Sequence, residues 1–344
     1  MIGNRLGARV LFLTSLLLAA IAQAAPPQRW AIHNVGAFGN GGSDAWGINN
    51  RGDVVGFSNK PFPPHIAEIF RCFLWQNGSM QDIGAPIDHC QALGVNDRGT
   101  IVAHTGYGDE VWLFKDGQWI KVGPGVPYAI NRSEDIAGQY WSGNGFHAFL
   151  VKDGVFRDLG TLGRGNSAAT AINDKGVVVG ISELPRDGVA HAFAYANGVM
   201  RDLGTLPGHE DSHATGINSH GVIVGYSANT VEDSVAFIAS VDGGMRRLFD
   251  APGASYAAAI NDRGVVVGEI DQRGFLYEDG KLTLLADLPE VKAAGWTRLI
   301  PKAINDRGWI TGSGVRTGGA MTAFVLVPGN AGVDFGRKPR RIPN

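Results

Sequence analysis

The 344-residue chain has only two cysteines, Cys72 and Cys90, and no C-x-x-C pair, so a dithiol redox motif is excluded. It has no Gly-x-Ser-x-Gly elbow, no phosphate-binding loop and no dinucleotide fingerprint, so three common enzyme frameworks have no foothold. It has no basic excess. The formal net charge is −2, which argues against nucleic acid as a partner. Its long apolar stretch, Val10 to Ala22, is too short to span a bilayer comfortably.

That stretch has another reading. Arg5 and Arg9 precede it, and Ala22-Gln23-Ala24 follows as a small-residue cleavage site. Residues 1–24 therefore read as a signal peptide. No cysteine follows the apolar stretch to carry a lipid. The expected product is secreted or periplasmic, starts near Ala25, and is not membrane-bound after cleavage. It keeps 28 basic and 32 acidic residues. The basic cluster Arg337 to Arg341 falls in residues 329–344, which read as a flexible, solvated tail.

What the sequence has in abundance is glycine, 50 residues without a collagen period, and repetition. An Ile/Val-Asn pair recurs with its asparagine at positions 49, 96, 131, 173, 218, 261 and 305. The surrounding text repeats as well: "AINDKGVVVG", "GINSHGVIVG", "AINDRGVVVG". Each unit divides into four short strands, here named a to d. In the fourth unit these are Ala168 to Asn173, Val177 to Ser182, His191 to Ala196 and Met200 to Leu206. Asn-Gly and Asp-Gly turns join the β-rich runs, as hairpins require. The recurring asparagine is suited to capping the a–b turn with its own side chain.

Four strands per unit at a period near 43 predict an all-β fold, a seven-bladed β-propeller over residues 29–328. The mature chain opens on a d-like strand, Arg29 to Phe38, and its repeats end on a c-like strand, Thr322 to Pro328. The N-terminal strand is therefore expected to complete the last blade and close the ring.

The segments His147-Ala148-Phe149 and His191-Ala192-Phe193, each followed by "RDLGTL", resemble the HAF-repeat family of bacterial extracellular proteins. So does "AINDRGVVVG". The resemblance covers nearly the whole mature chain. It implies an exported repeat protein and no particular activity. Other units carry Arg71-Cys72-Phe73 or Arg273-Gly274-Phe275 instead, so the histidine is not needed in every blade.

The a–b and c–d turns are short throughout, whereas the b–c and d–a loops vary widely. In a four-stranded blade the variable loops share one face, and function is expected there. The pentad His209-Glu210-Asp211-Ser212-His213 matches the H-E-x-x-H zinc pattern. In register it is a d–a connection with no room for the helix that zinc ligation requires, and a solvated loop is the expectation. Cys72 and Cys90 fall on the same variable face and are expected to pair.

The candidate ligand-binding residues on this face are Trp46, Tyr140, Trp141, Glu183, Asp187, His209, Glu210, His213, Tyr256 and Trp296. Aromatics among carboxylates suit a glycan or peptide. The expected function is an exported binding module for a glycan, peptide or protein ligand. The alternative is a propeller-fold hydrolase or lyase acting on glycans. No catalytic residue, metal or cofactor is assigned, and a monomer is expected.

Overall fold

A computed structural model describes residues 28–39, 41–60, 69–84, 89–106, 110–186 and 188–329. The proposed leader, the tail from residue 330 and Asp187 lie outside the described residues.

Among the described residues the strands form seven antiparallel sheets of four, each in the order a-b-c-d. The first blade is Ser43–Ile48, Val54–Lys60, Ile69–Gln76 and Ser79–Asp82. The inner strands of the others are Cys90–Val95, Val126–Ile130, Ser167–Ile172, Asp211–Ile217, Ser255–Ile260 and Trp296–Ile304. Each inner strand touches the next, and the seventh touches the first, so the blades circle a common axis. The seventh blade takes its outer strand from the N-terminus, Trp30–Gly36, which pairs with Met321–Pro328. This closes the ring as expected and leaves no blade short of a strand.

Tight turns set the blade geometry. Asn77, Asp116, Asp153, Asn197 and Asp279 have φ near +50° and precede Gly78, Gly117, Gly154, Gly198 and Gly280, also at positive φ. Two successive left-handed residues make the hairpin turn whose twist matches that of the strands.

Every inner strand has a register shift between the residues four and two positions before the recurring asparagine, as between Ala169 and Ala171. The bulge turns a carbonyl toward strand b. A Cβ on Gly180 would lie 1.9 Å from the Ala168 oxygen, and on Gly225 1.9 Å from that of His213. This explains the glycine closing "VVVG" and "VIVG". Opposite it on strand c sits a fully buried phenylalanine: Phe73, Phe149, Phe193, Phe237, Phe275 and Phe324. Burying each contributes roughly 1.5–3 kcal/mol.

Two polar devices join neighbouring blades. The recurring asparagine caps its own turn, as when Asn218 Oδ1 accepts the His220 and Val222 N–H groups. Its Nδ2 also donates to the backbone oxygen of the next asparagine. The links run 49 to 96, 131, 173, 218, 261 and 305, and Asn305 returns to Asn49 at 2.8 Å. All seven asparagines are buried, so the hydrogen-bonded ring encircles the axis with little solvent competition.

The second device is a serine at the start of strand a. Ser167 donates to the Gly160 oxygen and accepts from the Ala148 N–H of the preceding blade. Ser212 does the same with Gly204 and Ala192, and Ser43 closes onto Ala323. Between blades 1 and 2 the serine is Cys90 and the alanine is Cys72, and here the two side chains form a disulfide. A covalent bond thus replaces the hydroxyl clamp.

Candidate functional site

The His of the HAF text is a structural partner. His147 Nδ1 lies 3.0 Å from Asp158, and His191 Nδ1 2.8 Å from Asp202, each across the c–d hairpin. Burial alone would raise Asp158. Hydrogen bonds from His147 and the Gly160 N–H outweigh it and hold the carboxyl below the usual range.

The candidates from the sequence fall into three groups. Trp296 is 3% exposed and packs edge-on against Phe324, so it belongs to the core. Tyr140 packs against Phe149 and Phe156 and is likewise a packing residue. Trp141, in contrast, is 61% exposed and meets Phe146 at the tip of the blade 3 b–c hairpin. Glu183 accepts both the backbone N–H and the side-chain amide of Asn166, which fixes a loop. Glu210 is exposed, 3.3 Å from Arg186. His209 sits in a turn, its N–H bonded to the Leu206 oxygen. His213 lies on the inner strand Asp211–Ile217, so the H-E-x-x-H text spans a turn and a strand. Among the described residues no group of three or more His, Cys, Asp or Glu side chains is placed to hold a metal ion.

His213, Tyr256 and Trp46 form the third group. They belong to one band on the inner strands of blades 5, 6, 7 and 1. His213 stacks on Tyr226 with centroids 4.6 Å apart, and Tyr226 meets Tyr256 at 6.1 Å. The Tyr256 hydroxyl donates to Glu269, which is 3% exposed, and Arg298 lies 3.3 Å from the same carboxylate. Lys302 pairs with Asp44 and lies 3.7 Å from the Trp46 centroid. Tyr226, Glu269, Arg298 and Lys302 were not among the residues expected from the sequence.

The bulge explains this gathering. Trp46 and Lys302 are the residues that the bulge leaves unpaired on strands 1 and 7. The same position holds Thr170 and Thr215 on blades 4 and 5, whose hydroxyls reach the next inner strand. These side chains therefore circle the axis. His213, Tyr256 and Asp44 lie nearer the start of strand a, the end that faces the variable loops.

Electrostatics in the band are dominated by burial. Burial lowers Lys302 below the usual lysine range, against the pull of Asp44 and Glu269. It raises Tyr256, and the hydrogen bond to Glu269 raises it further. It also lowers His213, against Asp211. A histidine held neutral in the fold binds fewer protons than the unfolded chain as pH falls through its ordinary value near 6.5. Stability is therefore expected to decline on acidification below about pH 6.5, and His213→Phe should reduce that slope. Urea unfolding of both proteins between pH 5 and 7.5 measures it.

The opposite mouth of the axis has a different character. A cavity of about 190 Å³ there is lined by Ile/Val, Asn and the following residue of each inner strand. Those following residues include Asp97, Asp174, Asp262 and Asp306 together with Arg132. The groups satisfy one another, with Arg132 2.9 Å from Asp97 and 3.7 Å from Asp174.

No protein-family model and no curated protein matches the chain. Solved structures do. It is 12% identical to Pyrococcus horikoshii acylaminoacyl peptidase, with a TM-score of 0.51 over 78% of this chain and 49% of that one. It is 9% identical to the extracellular domain of a proposed one-component system from B. thetaiotaomicron, with a TM-score of 0.53 over 85% and 39%. A Xanthomonas campestris gluconolactonase matches at 11% identity and a TM-score of 0.41, over 67% and 82%. The chain thus spans less than half the length of the first two. At these identities the likeness shows the fold alone: the chain is a seven-bladed β-propeller.

Proposed function

We propose that the chain is an exported binding module of the HAF-repeat type, and that its ligand is a glycan entering the axial channel from the variable-loop face. One observation carries the reading: aromatic rings and the carboxylates of part-buried Asp44 and buried Glu269 share this band. Lys302 covers Trp46, which stays 38% exposed, and Asp44 and Glu269 supply acceptors nearby. Sugars need both a stacking surface and oriented polar groups. The leader-like N-terminus and the disulfide support export to an oxidising compartment.

A glycan and peptide array probed with the mature protein tests the reading. An oligosaccharide should score. Trp46→Ala should weaken it by at least about tenfold, as loss of a stacking anchor does. Binding of peptides alone, or unchanged affinity in the variant, would contradict it. A second reading, catalysis on the same ligand, is favoured by the burial-depressed Lys302 beside two carboxylates. Mass spectrometry of the bound oligosaccharide after incubation separates the two, since a binding module leaves it intact.

A further inference from the structure

Four blades join strands c and d by a side-chain pair at one register position: the ion pairs Arg71–Asp82 and Glu110–Lys121, and the contacts His147–Asp158 and His191–Asp202. Blade 5 breaks the pattern on both strands. Val235 stands at the strand c position. Arg247 lies opposite Phe237, where Asp158 and Asp202 lie opposite Phe149 and Phe193. Arg246 precedes it. Both arginines are exposed, and no ion pair among the described residues engages either.

The two arginines border a groove of about 720 Å³ on the outer rim of blades 5 and 6. Met245, Phe249, Tyr277 and Leu282 give it an apolar wall, in which Phe249 meets Tyr277 at 5.4 Å. Asp250 is the one carboxylate among its lining residues. The strand running along it, Gly243–Arg247, is the outermost of its sheet, and among the described residues no strand pairs with its outer edge. Successive strand residues point to opposite faces, so Arg246 and Arg247 straddle that edge.

We propose that this groove docks an extended acidic peptide segment of a partner protein. The peptide adds to the free edge of Gly243–Arg247 as a fifth strand. Its carboxylates fall on one face of the sheet and meet Arg247, and its alternate apolar side chains fall on the other, against Phe249 and Leu282 beside Arg246. The charge selects the class: the Arg247 guanidinium on one face of the edge and the apolar wall on the other favour an anionic, amphipathic strand. The site is independent of the axial channel.

Fluorescence anisotropy with a labelled peptide of alternating Glu and Leu tests this on the full mature chain. Saturable binding is expected, weakening with salt, and absent for the Lys/Leu counterpart. Arg246→Glu with Arg247→Glu should weaken binding by at least about tenfold. Arg157→Glu, the register equivalent of Arg246 on blade 3, should leave it unchanged. Matching urea midpoints establish that the variants fold. A Glu/Leu peptide interrupted by proline should bind worse, since it cannot complete the edge ladder. The proposal is overturned by absence of binding, by equal binding to the doubly reversed variant, by equal binding of the proline peptide, or by capture of phosphatidylserine vesicles in place of the peptide.

Discussion

Asn218→Ala is expected to destabilise the protein by about 3–5 kcal/mol. The side chain is 5% exposed and makes three hydrogen bonds: two accepted from its own a–b turn and one donated to the Asn261 oxygen at 3.1 Å. Alanine leaves those groups without their side-chain partners, and each buried orphan costs roughly 1–3 kcal/mol. The loss reaches beyond one turn, because the bond belongs to the ring that ties every blade to the next. Urea unfolding should show a lower midpoint with little change in slope. A change under about 1 kcal/mol would mean that the ring contributes little beyond turn geometry.

The second large effect concerns the junction of blades 1 and 2. Cys90→Ala is expected to remove about 2–4 kcal/mol, the usual range for a disulfide closing a loop of this size. The other junctions show how to recover part of it. Cys72→Ala with Cys90→Ser recreates the alanine and serine that clamp Ala148 to Ser167 and Ala192 to Ser212, with Gly84 at the position of Gly160 and Gly204. This double variant should be more stable than Cys90→Ala by about 1 kcal/mol and insensitive to reductant. Melting curves with and without dithiothreitol read both results. If the serine variant is no better than the alanine one, the junction is not equivalent to its neighbours.

The fold was legible because the repeats write the same physical solution seven times. The recurring asparagine marked every a–b turn, and its capping role is observed. Where its Nδ2 points was not legible, because the acceptor lies about one repeat away and appears only once the blades are arranged in a ring. The His–Asp pairing was hidden in the same manner: His191 and Asp202 become neighbours only through the hairpin register.

The candidate site was legible in part. Trp46 and Tyr256 stood out as aromatics that do not repeat, and His213 through the H-E-x-x-H text. Tyr226, Glu269 and Lys302 were passed over because they sit inside well-repeated text, "VIVGYS", "VVVGEI" and "PKAIN". Their signal was departure from register. The residue after the strand b glycine is Phe57, Ile181 or Ser313 elsewhere, and only blade 6 buries a carboxylate there. Trp296 and Tyr140 went the other way, since loop proximity in sequence did not reveal that their rings turn into packed neighbours.

A crystal structure of the mature protein with the highest-affinity oligosaccharide from the array shows whether the Trp46 band holds the ligand. A sugar ring is expected against Trp46, with hydroxyls toward Asp44 and Glu269, inside the channel mouth on the variable-loop side. A sugar bound on the blade rims or at the asparagine-ring mouth, with the Trp46 band empty, would contradict it.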